Sequence, residues 1–146
     1  MPLERTLCII KPDAVEKRKV GAILQRIEEA GFRILALRMT QFTRLQAEGF
    51  YDVHRQRPFF AELVQFMTRS PVVIAVLERQ DAVACWRDLM GATDPAKAAA
   101  STIRKQFGTN VGENATHGSD SLANAQREIE YLFQGALPGE ETKASV

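Results

Sequence analysis

A chain of 146 residues, 45% hydrophobic and 25% charged, has the size and composition of one soluble globular domain with a sizeable core. Its 19 basic and 18 acidic residues leave a formal net charge of +1, which excludes a general nucleic-acid or membrane-surface binder, because either needs a net basic face. Cys8 and Cys85 lie inside apolar segments and make no disulfide framework. Met1–Arg5 has no apolar leader and no apolar run is long enough for a bilayer, so a cytoplasmic protein without a membrane partner is expected.

Arg5–Ile10 is a short apolar run that predicts a buried strand, ending at Ile10 or Lys11 before the punctuation Pro12-Asp13. Val20, Ile23, Leu24 and Ile27 recur at helical spacing with Ala30 on the same face, and Gly31 supplies the stop. Phe32–Phe42 predicts a second strand, with Ile34, Ala36 and Arg38 on one face and Leu35, Leu37 and Met39 on the other. Thr43 caps a helix that carries Leu45, Phe50 and Val53; Arg57-Pro58 breaks it, and Phe59–Met67 forms the other arm of a helical hairpin with Leu63, Phe66 and Met67 inward. Ser70–Glu78 is a strand whose continuous apolar run buries both faces. Gln80 or Asp81 opens a helix over Ala82, Val83, Cys85, Trp86 and Leu89. A long connection then runs from Gly91 to about Thr116, interrupted by one helical turn at Thr102–Phe107; its length and its Thr93, Arg104 and Asn114 mark it as functional. Ala115–His117 is a brief last strand, and Ser119, Asp120 or Ser121 caps a terminal helix, Leu122–Phe133. Residues from about 136 to 146 form a polar tail on what is otherwise one domain spanning 1–146. The order predicts an α+β fold: a ferredoxin-like βαββαβ antiparallel sheet with helices packed on one face, a long loop before the last strand, and a C-terminal helix.

His117, one of two histidines, stands in Asn114-Ala115-Thr116-His117-Gly118-Ser119-Asp120, just before a helix start. Gly118 permits close approach of backbone to a ligand or an unusual dihedral. A lone histidine there most often only closes a turn, but neutral imidazole is also a nucleophile, and a helix start suits anions. Neither G-x-x-x-x-G-K-[ST] nor G-x-G-x-x-G occurs, metal-ligand spacing is missing, and there is no G-x-S-x-G elbow. What remains is His117 with Lys11, His54, Arg87, Thr93, Arg104 and Asn114, cations and small donors suited to a polyphosphate. Spacing alone does not bring them together.

Several motifs in order decide the matter: Cys8-Ile9-Ile10-Lys11-Pro12-Asp13-Ala14, Phe50-Tyr51-x-x-His54, Arg57-Pro58-Phe59-Phe60, Met90-Gly91-Ala92-Thr93-Asp94-Pro95, Thr102-Ile103-Arg104 and Asn114-x-x-His117-Gly118-Ser119-Asp120. From about Arg5 to Phe133 the chain resembles the nucleoside diphosphate kinases of bacterial type. That resemblance implies transfer of the γ-phosphate of a nucleoside triphosphate, chiefly ATP, to a nucleoside diphosphate, by a ping-pong route through a pros-phosphohistidine on His117, in the service of NTP and dNTP pools. It implies Arg87, Thr93 and Arg104 on the phosphates with His54 near them, and Lys11 and Asn114 on the sugar hydroxyls, Lys11 also reaching the transferred group. Tyr51 would steady the histidine, Phe59 would stack on the base with Leu63 and Val111 lining the slot, and Glu128 would fix the imidazole with Ser119 beside it. Mg²⁺ would be held through the nucleotide phosphates and not by protein side chains, and a homo-oligomer, tetramer or hexamer, is implied. Asp94 and Ser101 stand where the family often has Asn and Gly, at positions without chemistry. The alternative is a non-catalytic nucleotide-binding module of the same fold; a histidine phosphatase is a further rival.

Overall fold

Side chains along an extended strand point alternately to opposite faces, and β1, Leu3–Ile10, sends apolar groups both ways. Leu7 and Ile9 enter one core cluster, Cys8 and Ile10 another, and all are fully buried. β3, Val72–Gln80, does the same: Val72, Ile74 and Val76 face one side, and Val73, Ala75 and Leu77 the other. In this computed structural model, which describes residues 2–133, the two strands pair at the centre of a sheet. β2, Arg33–Thr40, flanks β3, and β4, Thr116–Gly118, flanks β1, so the order is β2-β3-β1-β4 with every pairing antiparallel. The polar tail expected from about 136 to 146 lies outside the described residues.

The α+β, ferredoxin-like βαββαβ sheet is therefore as expected, but the helices do not pack on one face. One face is covered by α1 (Pro12–Glu16), α2 (Val20–Glu29), α5 (Ala82–Met90) and α6 (Ile103–Phe107), through Ala14, Ile23, Ile27, Trp86, Met90 and Ile103. The other is covered by α3 (Arg44–Phe50), α4 (Phe60–Thr68) and α7 (Leu122–Leu132), through Ala47, Phe50, Val64, Met67 and Leu132. The physical reason lies in β1 and β3. Apolar surface left in water costs about 25 cal/mol per Å², and strands apolar on both faces need cover on both.

Other local features differ as well. β1 ends at Ile10 as expected, but a short helix not foreseen follows it: Pro12 starts α1, where its fixed φ and missing N–H are tolerated. A bulge between Ile34 and Ala36 breaks the alternation of β2, so Ile34 joins the cluster of Phe32 and Trp86 while Leu35 and Ala36 turn to the opposite one. Of Leu45, Phe50 and Val53 only Phe50 is buried. The hairpin itself starts as read: Thr43 Oγ1 accepts from Gln46 N–H at 3.1 Å, and Gln46 Oε1 accepts from Thr43 N–H at 2.9 Å, a reciprocal cap. Among the described residues no helix is long and apolar enough to cross a membrane.

Candidate active site

β4 places His117 opposite Ile9 at the edge of the sheet, and Ser121, whose Oγ accepts from Asn124 N–H at 3.1 Å, starts α7 four residues later. One turn into α7 and beyond, Glu128 comes back over the histidine. His117 Nε2 lies 3.0 Å from Glu128 Oε1, which also accepts from Ser119 Oγ at 2.7 Å. Ser119 is fully buried and Glu128 nearly so. A carboxylate on Nε2 selects the tautomer with its proton there, which leaves the Nδ1 lone pair free. Burial pushes the imidazole below its ordinary pKa; Glu128 works against this, and the charges of Lys11 and Arg104 add to it. Burial also works to raise the Glu128 carboxyl, but its bonds to His117 and Ser119 outweigh burial and bring it below its usual value. The pair is thus neutral imidazole with carboxylate.

Two aromatic edges fix the ring plane: Phe50 at 5.3 Å between centroids and Tyr51 at 6.4 Å, both near perpendicular. Tyr51 is buried, its hydroxyl lacks a hydrogen-bond partner, and burial drives its pKa upward, followed by Glu128, so it stays a protonated donor. From below, the Trp86 indole N–H donates to the His117 carbonyl at 3.2 Å. A Cβ on Gly118 would lie 2.5 Å from Met90 Cε and 2.6 Å from the Trp86 ring, so packing beneath β4 demands the glycine.

The cations come from the corner after β1 and from α6. Lys11, buried at the N-cap of α1, donates from Nζ to Asn114 Oδ1 at 2.9 Å, and Asn114 Nδ2 donates to the Thr93 carbonyl at 3.1 Å. Burial lowers the lysine to about 8, Arg104 contributes to the lowering, and Asp13 opposes it. Arg104 donates to the carbonyls of Gly91 at 3.1 Å and Thr116 at 2.9 Å, and its buried Nε has no partner. Burial and then Arg87 lower it to about 10. Gly91 holds φ +88°, and a Cβ there would sit 2.5 Å from Thr102 Cβ, so only glycine lets the loop present that carbonyl.

The remaining candidates form an outer rim. His54 lies in the 3₁₀ turn Asp52–His54, stacked on Tyr51 at 6.4 Å and 5.5 Å from Phe59. Phe59 is 46% exposed and Val111 56% exposed, while Leu63 packs half-buried against the core beneath α3 and α4. Arg87 and Thr93 are exposed on α5 and on the loop after it. The structure thus unites His117, Glu128, Ser119 and Tyr51, and separately Lys11, Asn114 and Thr93, with Arg104 joining both through its field. Val111 stands at the tip of a turn closed by Thr109 N–H on the Glu113 carbonyl, apart from these contacts. Phe50 and Trp86, which orient the histidine from either side, were missed as site residues; the helical phase of Phe50 against Tyr51 was the available signal.

Among the described residues no group of three or more His, Cys, Asp or Glu side chains could hold a metal ion. The inner site presents the cations Lys11 and Arg104, which suit phosphate oxygens.

A model of the nucleoside diphosphate kinase family matches residues 4–137. A nucleoside diphosphate kinase of Sorangium cellulosum is 62% identical over 135 residues, covering 92% of this chain and 94% of the relative. The solved nucleoside diphosphate kinase of Aquifex aeolicus superposes with a TM-score of 0.90 at 52% identity, over 92% of this chain and 97% of that one. That of Halobacterium salinarum, solved in complex with CDP, gives a TM-score of 0.87 at 38% identity, over 90% of this chain and 88% of that one. The chain belongs to the nucleoside diphosphate kinase family.

Proposed function

We propose that the chain is a nucleoside-diphosphate kinase that passes the γ-phosphate of a nucleoside triphosphate, chiefly ATP, to a nucleoside diphosphate through His117. The observation that carries this reading is His117 Nε2 held at 3.0 Å by Glu128, in a site where the charges of Lys11 and Arg104 act on the imidazole. The Nδ1 lone pair attacks the γ-phosphorus, the P–O bond to the β-phosphate breaks, and the nucleoside diphosphate leaves with that electron pair. The proton on Nε2 remains shared with Glu128. A second diphosphate then attacks phosphorus with a terminal oxygen, the N–P bond breaks and the lone pair returns to Nδ1. Because donor and acceptor use one site in turn, the kinetics are ping-pong.

Arg104, Arg87 and Thr93 bind the phosphates with His54 near them, Lys11 and Asn114 take the sugar hydroxyls, and the unsatisfied Tyr51 hydroxyl meets the γ-phosphate region. Phe59 stacks on the base, with Leu63 and Val111 at the slot. Mg²⁺, held through the nucleotide phosphates and not by protein side chains, would neutralise phosphate charge. The CDP complex of the Halobacterium salinarum relative supports a nucleoside diphosphate as ligand. A cytoplasmic setting agrees with the free Cys8 and Cys85. Assembly as a tetramer or hexamer agrees with the edge position of β2 and the exposure of its Leu37 and Met39.

The test is incubation with labelled ATP and Mg²⁺. An acid-labile phosphoryl group on His117, discharged by an unrelated nucleoside diphosphate, is the expected result. No label on wild type, or undiminished label on His117→Ala, overturns the reading.

A further inference from the structure

Arg18, Asp81 and Ala115 are the described non-glycine residues with left-handed φ, and Ala115, at +74°, is the one with no exposed surface. Thr116 N–H donates to the Asn114 carbonyl at 2.9 Å, which makes Ala115 the centre of a γ-turn in its rare, strained sense. Alanine has no polar side chain to ease that conformation, so its surroundings must impose it. They do so at both main-chain groups. Lys11 N–H donates to the Ala115 carbonyl at 2.8 Å, and Ala115 N–H donates to Asp13 Oδ2 at 3.1 Å. Asp13 is 2% exposed and its Oδ1 is buried without a hydrogen-bond partner. A carboxylate placed at such a cost to reach one amide has a local task.

Ala115 separates the two halves of the site. On its one side Asn114 faces Lys11; on its other Thr116 and His117 are in register with Ile10 and Ile9. We propose that Asp13 is a positioning residue for phosphoryl transfer: its carboxylate clamps Ala115 in the left-handed turn that lets Asn114 face Lys11 while His117 stays in register on β4. Without the clamp Ala115 relaxes to negative φ, and since the β4 pairing holds Thr116 and His117, it is Asn114 that swings away. The inference rests on the roles proposed above for Lys11, Asn114 and His117.

The experiment compares wild type, Asp13→Asn, Asp13→Ala, Ala115→Gly and the double variant Asp13→Ala/Ala115→Gly in steady-state kinetics with ATP and a nucleoside diphosphate. Thermal unfolding is recorded for each, with His117→Ala as control. Asp13→Ala is expected to lose about tenfold or more in kcat/KM, the scale of a displaced binding group. Asp13→Asn keeps an accepting oxygen, and Ala115→Gly accepts positive φ freely, so each stays within about threefold of wild type, and the double variant regains most of the loss. An unaffected Asp13→Ala, an Asp13→Asn as damaged as Asp13→Ala, or a double variant no better than Asp13→Ala overturns the clamp. An Asp13→Ala chain that folds only together with Ala115→Gly supports it, and one that stays unfolded in the double variant overturns it. Activity retained by His117→Ala sinks the site reading itself, a result independent of Asp13.

Discussion

Around His117 the polar side chains are anchored in advance: Glu128 holds Nε2, Ser119 holds Glu128, Asn114 holds Lys11, and Arg104 is pinned to two carbonyls. At the rim, Phe59, Arg87, Thr93 and Val111 stand in water. The inner half carries the buried charge and the strained Ala115 turn, while the charge at the rim, Arg87, stays exposed. On the proposed function this division has a reason. A phosphoryl group is the same in every nucleotide and rewards fixed dipoles and charges that need no reorganisation. Bases differ, and a loose rim tolerates them. Burial lowers the pKa of both Lys11 and Arg104, the charge of Arg104 adds to it at Lys11 and that of Arg87 adds to it at Arg104, and a polyphosphate relieves both the repulsion and the desolvation.

The largest way to break this contrast, short of removing the histidine, is Arg104→Ala. Its guanidinium reaches across to Gly91 and Thr116 at once, so the variant loses a phosphate donor and the tie between the loop and β4. A loss of about 2 kcal/mol or more in kcat/KM is expected, with little recovered by Arg104→Lys, whose point charge cannot span the same fork. Steady-state kinetics with wild-type kcat/KM would remove Arg104 from the site and leave the inner half without its main fixed charge.

A sharper probe is pH. His117, partly buried and poorly solvated, titrates below the ordinary imidazole value of about 6.5, so the rate of His117 phosphorylation holds as pH falls through that range. It drops only when pH passes the lower folded value and the Nδ1 lone pair takes a proton. Glu128 opposes this depression, so Glu128→Gln moves the acid limb to still lower pH. The same change weakens the hold on the tautomer and lowers kcat about tenfold. A limb that stays in place, or moves upward, breaks the link between carboxylate and imidazole.

What could be read in advance divides along similar lines. The apolar runs of β1 and β3 and the helical spacing of Val20, Ile23, Leu24 and Ile27 announce themselves, because periodicity is a local property. Cover on both faces was already implicit in β3, whose run leaves no polar side. Features made by tertiary contact were not legible. The β2 bulge, the Gly118 contact with Trp86 and the Ala115 turn each depend on a partner distant in sequence. Lys11 and Asn114 are 103 positions apart, and only the resemblance put them in one site. The strand end before Pro12 was legible, but the helix that starts there was not, because the same ring that ends a strand is also suited to begin a helix.

The smallest expected effect tests the outer half. Phe59 has one side against His54 and nearly half its surface in water, so its truncation disturbs little of the core. Phe59→Ala is expected to cost about 1 kcal/mol in kcat/KM, through the loss of base stacking. The whole cost should fall on KM, with kcat unchanged, because no group that touches the phosphorus depends on this ring. Since every base offers a π-face, the cost should be alike for purine and pyrimidine substrates measured side by side. An equal fall in kcat would mean that the rim helps to align the reacting atoms, and the separation of a rigid chemical half from a tolerant recognition half would then fail at its boundary, between His54 and Tyr51.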